Sequence, residues 1–342
     1  MLTEKQVIEI REHLEKAQNP LFFFDNDTDG LASFLLLSRY CGKGKGVAIK
    51  SFPALDKSYA RKIKEVNADY VFVLDKPRIS KEFLEEAKKM NVCVVWIDHH
   101  DIDFRIPEDI YYYNPNKNKE KTNEPTTYLA YKIANKKEDI WLAVVGCIGD
   151  NFMPDFVDEF KKQYPELINE NAKTAFDAYY KTDIGKIAKV LNFALKDKTS
   201  NVIRMLKILM NAKNPEEVLE ENNPMIKRYN QINKKYQKLI EKAKKQAKSK
   251  LLFFQYAGDL SLSGDLANEL SYFFPEKIIA VCYVKGNKVN ISIRGKNARE
   301  VTLKAIEKLE NATGGGHEEA TGAKIRSEDM EEFKKRVEKL TN

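Results

Sequence analysis

The stretch VCVVWIDHHD, residues 92–101, ends a run of apolar residues with an aspartate and two histidines. A continuous apolar run that contains β-branched residues is typical of a strand buried on both faces of a parallel sheet. Ligands of α/β proteins bind in the crevice at the carboxyl ends of such strands. We therefore predict a ligand site at Asp98, His99 and His100. The alternative is a capping aspartate followed by two turn histidines.

A second apolar run, residues 21–24, precedes the acidic sequence DNDTDG, residues 25–30. Period-two spacing places Asp25, Asp27 and Asp29 on one side of an extended segment. Three carboxylates this close repel one another unless a cation lies among them. A calcium-type loop or a solvated acidic turn is the alternative, but an EF-hand needs flanking helices and a distal glutamate. The sequence therefore favours hard-metal or phosphate chemistry.

Asp75 and Asp150 also follow apolar runs, a predicted strand over residues 70–74 and a predicted helix over residues 139–150. A buried aspartate at a helix end is usually bonded to backbone alone. Asp150 belongs to the fourth stretch in which an aspartate or histidine follows an apolar run, and we therefore predict that it is a ligand. The other predicted elements of this region are strands over residues 46–52 and 110–113 and helices over residues 59–66, 80–90 and 126–134. This alternation predicts an α/β fold with a doubly wound, mainly parallel sheet.

Residues 151–250 lack strand signals and are predicted to be helical. Within them, residues 225–250 form a predicted basic helix, whose charges face either solvent or a nucleic acid. Strands are predicted to resume over residues 251–256, 278–284 and 288–294, with a hairpin turn at residues 285–287. We predict a three-part chain: a catalytic domain with the metal site, a helical linker and a smaller α/β substrate-binding domain, over residues 1–195, 196–250 and 251–342.

The glycine triplet Gly314, Gly315 and Gly316 precedes His317. Three glycines leave backbone N–H groups unshielded, so that a phosphate can approach them closely. The alternative is that the triplet only forms a turn, for which glycines are common. The histidine beside it favours the phosphate-binding interpretation.

The composition is compatible with a polyanionic partner but does not require one. The chain has 58 basic and 51 acidic residues, a net charge of +7. No apolar run approaches the roughly 20 residues needed to cross a bilayer, and the charged, helix-like start argues against a signal peptide. The four cysteines lie far apart, as expected for buried side chains in a reducing compartment. We therefore predict a cytoplasmic protein with no membrane partner.

Together these motifs resemble the DHH phosphoesterase superfamily, and most of all its RecJ-like exonuclease branch of the compact archaeal type. The resemblance extends over nearly the whole chain, and the helical middle is the least diagnostic part. The stretches that resemble the family's motifs, in the family's order, are residues 25–30, Asp75, residues 98–100, residues 146–150, residues 290–294 and residues 314–317. One departure is the sequence EEATG, residues 318–322, where relatives often carry proline and small residues.

The resemblance implies two divalent cations, preferably Mn²⁺ with Mg²⁺ or Co²⁺ as possible substitutes, about 4 Å apart. We expect one ion at Asp25 and Asp27 and the other mainly at Asp29, His99 and Asp150. Asp75 is expected to bridge the two ions. The two remaining residues of the histidine motif are expected to be catalytic, with Asp98 orienting an imidazole and His100 acting as a ligand or as a donor to the scissile phosphate. Phosphate binding is expected in a cleft between the domains, at Arg294, Gly314, Gly315, Gly316 and His317.

The implied activity is exonucleolytic hydrolysis of single-stranded DNA or RNA to mononucleotides, with a replication or repair protein as a further partner. One alternative is an oligoribonuclease or small-substrate phosphodiesterase or phosphatase, acting on phosphoadenosine phosphate or cyclic dinucleotides. Another is a replication or repair scaffold that binds single strands without cutting them. A pyrophosphatase of the same superfamily fits less well, because its phosphate site lacks the Gly-Gly-Gly-His element.

Overall fold

The computed structural model describes residues 1–51, 53–102 and 105–341. The chain forms two compact units, Met1–Tyr229 and Asn230–Asn342. The three-part division with boundaries at residues 195 and 250 stays a prediction. The helices and strands of the first unit, in chain order, are α1 (Glu4–Lys16), β1 (Pro20–Asp25), α2 (Thr28–Cys41), β2 (Lys45–Ile49), β3 (Ala54–Leu55), α3 (Arg61–Val66), β4 (Tyr70–Leu74), β5 (Arg78–Ile79), α4 (Lys81–Lys89), β6 (Cys93–Ile97), β7 (Tyr111–Tyr113), α5 (Thr126–Ala134), α6 (Ile140–Gly149), α7 (Val157–Gln163), α8 (Ala175–Lys181), α9 (Asp183–Leu195) and α10 (Thr199–Asn211).

A helix that begins in the first unit, α11 (Pro224–Lys244), ends in the second. The remaining elements are α12 (Ser263–Phe273), α13 (Ala298–Ile306), α14 (Met330–Thr341) and the strands β8 (Leu251–Ala257), β9 (Ile278–Lys285), β10 (Lys288–Arg294), β11 (Thr313–Gly316) and β12 (Ala320–Arg326). Short 3₁₀ helices lie at Lys57–Tyr59, Pro115–Lys117, Lys137–Asp139, Pro215–Leu219 and Ser327–Asp329.

The first unit is built on a five-stranded parallel sheet with the strand order β2-β1-β4-β6-β7. Phe24 pairs with Leu74, and Leu74 pairs with Ile97, so the carboxyl ends of the three central strands are aligned. Because parallel strands end at the same edge, the residues that follow β1, β4 and β6 lie beside one another. The predicted α/β class and parallel sheet are confirmed.

Both faces of this sheet are covered by helices. Phe22, Phe24 and Phe72 belong to a core formed with helices such as α2, α5, α6 and α9. Phe23 and Val73, one residue further along their strands, belong to the opposite core, formed with α3 and α4. Alternating side chains of one strand point to opposite faces, so a continuous apolar run has a buried position for each residue. Full burial of one such side chain contributes about 1.5–3 kcal/mol.

Most element predictions for this unit are confirmed. The strand over residues 70–74 and the helix over residues 126–134 coincide with β4 and α5. The strand predicted over residues 46–52 ends at Ile49, and Phe52 lies outside the described residues. The two-stranded parallel sheet of β3 and β5 was not predicted. Each of its strands has two residues, too few for an alternating pattern to be visible in the sequence.

The middle of the chain is helical, as predicted. Residues 151–250 are all described and contain helices but no strand. The basic helix is shorter than predicted, since α11 ends at Lys244. Among the described helices, none is long and apolar enough to cross a membrane. Among the described residues the four cysteines form no disulfide bond.

The second unit has a five-stranded sheet with the order β11-β12-β10-β9-β8. All pairs are antiparallel except β8 with β9. The predicted strand over residues 288–294 coincides with β10, and Gly286, with a φ of 59°, lies in the predicted hairpin turn. Strands β11 and β12 were not predicted. The glycine triplet belongs to β11, an edge strand in which Gly314 pairs with Ala323.

Candidate metal centre

The carboxyl edge of the parallel sheet brings together all six predicted metal ligands. Their ligand atoms form three overlapping groups, in each of which the atoms lie within 4.8 Å of one another: Asp25, Asp27 and Asp75; Asp29, His99 and Asp150; and Asp75, His99 and His100. Asp75 and His99 each belong to two groups. The groups therefore form one continuous cluster rather than separate sites.

Asp75 lies at the centre of this cluster because of an unusual backbone conformation. It follows β4 with a φ of 55°, in the left-handed region that a non-glycine residue rarely adopts. Its N–H donates to the carbonyl of Ile97 at 3.0 Å, which anchors the turn to β6. Backbone strain of about 1–3 kcal/mol persists where the surrounding structure requires it, often at functional sites. Here the turn places a buried carboxylate beside His99.

The imidazole of His99 faces three carboxylates. Its Nε2 atom lies 3.4 Å from Oδ1 of Asp75, 3.7 Å from Oδ2 of Asp150 and 3.9 Å from Oδ2 of Asp29. These distances exceed the length of a normal hydrogen bond. They are close to the spacing of neighbouring ligand atoms about one hard cation, about 3 Å for bonds of about 2.1 Å.

The acidic sequence after β1 forms a tight strand-to-helix turn. Asp27 is the N-cap of α2, and its Oδ1 accepts a hydrogen bond from the N–H of Gly30 at 2.9 Å. A side chain at residue 30 would bring its Cβ within 2.5 Å of the Asp25 carbonyl oxygen. Gly30 is therefore required sterically, so that the helix can begin directly behind the carboxylates.

Asp29 is held by the first turn of α5. Its Oδ2 and Oδ1 accept hydrogen bonds from the N–H groups of Thr126 and Thr127, at 3.0 and 2.6 Å. The hydroxyl of Thr127 donates to the Asp29 carbonyl at 2.8 Å. This buried carboxylate thus lies at the N-terminus of a neighbouring helix and accepts hydrogen bonds from two N–H groups of its first turn.

Asp150 reaches the cluster because α6 packs closely against its neighbours. A Cβ at Gly146 would lie 2.2 Å from Oγ1 of Thr127, and one at Gly149 would lie 2.8 Å from Cβ of Thr28. Glycine at both positions lets α6 approach α2 and α5 at short range. Asp150 then follows as the C-cap residue of this helix.

Crowding raises the pKa of several carboxyl groups in the cluster. Desolvation, followed by the charges of Asp25 and Asp29, raises the pKa of Asp27 to about 7. Desolvation raises the pKa of Asp150 to about 6, although both histidines oppose the shift. Burial and neighbouring carboxylates raise the pKa of Asp75 well above its usual range.

Groups with raised pKa values hold protons in the absence of a counter-charge and exchange them for a bound cation. Carboxylate oxygens with an imidazole nitrogen are the donors that Mn²⁺ accepts. The residues present therefore fit a divalent metal centre.

Asp98 and His100 form a pair at the side of the cluster. The Nδ1 atom of His100 lies 2.8 Å from Oδ1 of Asp98, which is fully buried. Desolvation lowers the pKa of His100, but the charge and hydrogen bond of Asp98 outweigh it and raise this pKa to about 9. The imidazole is therefore charged at neutral pH, with Nδ1 donating to the carboxylate.

Three residues near the site were not predicted from the sequence. The buried Lys76 places Nζ 2.8 Å from Oδ1 of Asp25. The side-chain amides of Asn114 and Asn116 donate to the carbonyl oxygens of His100 and His99. Both asparagines follow β7 in the sequence NPN, and this position after a strand was the available signal. Nothing in the sequence indicates that a lysine is buried.

In the second unit, the predicted phosphate-binding residues lie at one end of the sheet. Arg294 pairs with Ala320 of β12, and the N–H of His317 donates to the Ala320 carbonyl at 2.9 Å. The guanidinium of Arg294 donates to the side chain of Asn268 at 2.6 Å and to two backbone carbonyls, which orients it. His317 is exposed in the turn between β11 and β12.

The three glycines have different steric roles. A Cβ at Gly314 would lie 2.8 Å from Cδ1 of Ile306, and one at Gly316, where φ is 138°, would lie 2.5 Å from the carbonyl of Ala320. Gly315 has no atom within 4 Å of its Cβ position among the described residues. The backbone at Gly315 is therefore the part of the triplet that a phosphate could approach.

The comparisons with known proteins agree with this architecture. The DHH family, N-terminal domain, matches residues 21–148, and the DHHA1 domain matches residues 234–342. Comparison with curated proteins gave no match. The chain belongs to the DHH phosphoesterase superfamily, so the predicted family and the phosphoester hydrolase class are confirmed at the level of the family.

Several solved structures share the fold. RecJ from Thermus thermophilus, in complex with Mn²⁺, is 17% identical with a TM-score of 0.68, and the match covers 98% of this chain but 54% of that one. A manganese-bound exonuclease RecJ is 18% identical with a TM-score of 0.64, over 100% of this chain and 95% of that one. The DHH domain of a protein described as a member of a family of ribosomal proteins is 17% identical with a TM-score of 0.73, over 98% and 89%.

Proposed function

We propose that the chain is a metal-dependent phosphodiesterase of the RecJ type that hydrolyses single-stranded DNA or RNA from an end to mononucleotides. The observation that carries this proposal is the convergence of five aspartates and His99 at the carboxyl edge of the sheet. Likeness of fold to manganese-bound RecJ supports the substrate class.

The ligand groups support a centre for two ions. Asp25 and Asp27 would hold one ion, whereas Asp29, His99 and Asp150 would hold the other. Asp75 would serve both, since it belongs to a group with Asp25 and to a group with His99. When bound, such ions supply Lewis acidity toward the phosphate and acidify the attacking water. Mn²⁺ is the proposed metal because it accepts both carboxylate and imidazole ligands.

Of the two roles predicted for His100, the Asp98 contact favours the donor. Nδ1 is engaged by the Asp98 carboxylate, so a contact with the scissile phosphate is made through Nε2. A charged imidazole can donate a hydrogen bond to a phosphate oxygen and stabilise the negative charge that develops there. Asp98 would orient this ring and keep it protonated.

In the second unit, Arg294 and His317 would bind a phosphate of the substrate together with the Gly315 backbone. A guanidinium held by Asn268 is preorganised, and its forked donors suit phosphate oxygens. The nearby exposed carboxylates Glu318 and Glu319 would oppose excess anion binding and assist product release.

The direct test is a Mn²⁺-dependent time course on single strands labelled at either end. DNA and RNA substrates would range from dinucleotides to about 30 nucleotides, with chelator added as a control. Stepwise shortening of long strands is expected, and the label pattern gives the polarity.

Two outcomes would overturn the proposal. Hydrolysis confined to the shortest substrates would indicate an oligoribonuclease or a small-substrate phosphodiesterase. Tight binding of single strands without hydrolysis would indicate a replication or repair scaffold.

A replication or repair protein as a partner is part of the same proposal, and co-purification with the intact chain would test it.

A further inference from the structure

Lys76 is a buried cation inside the carboxylate cluster. Its side chain is 1% exposed, and its Nζ lies 2.8 Å from Oδ1 of Asp25. A lysine is rarely buried in this way unless it is paired, because removal of a charge from water is costly. The ion pair with Asp25 compensates that cost.

The backbone turn at Asp75 determines where this lysine lies. Lys76 follows the residue with a φ of 55°, and its carbonyl accepts a hydrogen bond from Nε1 of Trp96 at 2.8 Å. Trp96 is itself buried in β6. The same turn that places Asp75 at the centre of the cluster therefore also places Lys76 beside it.

The ion pair makes the two proposed ion sites unequal. Oδ1 of Asp25 accepts from both Lys76 and the N–H of Asn26, at 2.8 and 2.9 Å, so Oδ2 is the oxygen left for an ion. Within the described part of the chain, Asp29 and Asp150 form no ion pair with a lysine or arginine. One site thus contains a buried ammonium in direct contact with a ligand, whereas at the other site Asp29 and Asp150 face the imidazole of His99.

We infer that Lys76 is a positioning residue that makes the Asp25–Asp27–Asp75 group the weaker cation site, so that its ion binds after the ion at Asp29, His99 and Asp150. This inference rests on the proposed two-ion function. Lys76 acts through Asp25, because a side chain with so little exposure cannot contact a substrate. An ordered pair of sites would let the second ion bind with the negatively charged substrate phosphate.

The test is calorimetric titration of the metal-free full chain with Mn²⁺ at pH 8. The wild type is expected to bind two ions with separable affinities. Lys76→Met keeps the length of the side chain but removes its charge, and should tighten the weaker site about tenfold or more while the tighter site stays within about threefold. Lys81→Met, at an exposed lysine outside the cluster, is the matched control and should change neither site. Unchanged affinity of the weaker site in Lys76→Met, or weakening of both sites, would overturn the inference.

A second pair of variants tests the order of binding without altering Lys76. Asp25→Asn should weaken only the second binding step, and Asp150→Asn should weaken the first. The reverse assignment would overturn the inference. Ordered binding of two ions without hydrolysis of any strand would refute the proposed function and leave this inference standing.

Discussion

The imidazole Nδ1 of His100 lies 2.8 Å from Oδ1 of Asp98, and this contact raises the pKa of the imidazole to about 9. Asp98→Asn would remove the charge that keeps the ring protonated. We expect kcat for strand hydrolysis to fall about 10- to 100-fold while two Mn²⁺ ions still bind. Steady-state kinetics and a metal count would measure both. Asp101→Asn, at an exposed carboxylate, is the control, and an unchanged kcat in Asp98→Asn would rule out a role for the pair.

The approach of α6 to α5 should be sensitive to one methyl group. Gly146→Ala would place a Cβ 2.2 Å from Oγ1 of Thr127 and 2.8 Å from Cβ of Ala32. Overpacking of this kind costs about 1–3 kcal/mol of the free energy of unfolding. Gly258→Ala is the control, because no described atom lies within 4 Å of its Cβ position. Chemical denaturation should separate the two variants, and equal stability would show that the packing tolerates the change.

Metal affinity should increase with pH. The pKa values of Asp27 and Asp150 are about 7 and about 6 without an ion, so both groups hold protons below these values. A bound cation must displace those protons, and affinity is therefore lost as the pH falls through this range. We expect Mn²⁺ affinity to rise steeply from about pH 5.5 to about pH 7.5 and then to level off. Titrations in several buffers would also measure the protons released, and a pH-independent affinity would contradict the prediction.

The turn between β11 and β12 should affect substrate binding rather than folding. His317 is exposed, so His317→Ala should leave the melting temperature unchanged. Loss of one phosphate contact should raise KM about tenfold and change kcat little. Glu318→Ala, at the next exposed position, removes a repelling charge and should lower KM or leave it unchanged. An unaltered KM in His317→Ala would exclude this residue from phosphate binding.

The parts of the fold that were predicted correctly are those with side-chain patterns. Residues 70–74 and 288–294 are apolar or alternating and coincide with β4 and β10. Three of the four residues of β11 are glycines, so the strand has no side-chain pattern, and it is defined by its pairing with β12. A strand of that kind is specified by tertiary contacts alone.

The ligand types were visible because each follows an apolar run in the sequence. Lys76 was missed for a different reason. A lysine beside a proline in DKP has the composition of a solvated turn, and its burial becomes visible only in the folded chain, where Trp96 donates a hydrogen bond to its carbonyl and Asp25 pairs with its side chain. Similarly, the adjacency of Asp98 and His100 was visible in the sequence, but the choice of His100 over His99 as the partner depends on side-chain geometry.

Asp75 belongs to two of the three ligand groups, so it tests the two-ion centre most directly. The measurement is hydrolysis of a labelled single strand by Asp75→Ala and Asp75→Asn beside the wild type, with circular dichroism as the check on folding. Asparagine tolerates the left-handed backbone at this position. We predict that both variants keep the fold and lose about a thousandfold or more of the activity. Activity near that of the wild type in a folded Asp75→Ala variant would contradict the account.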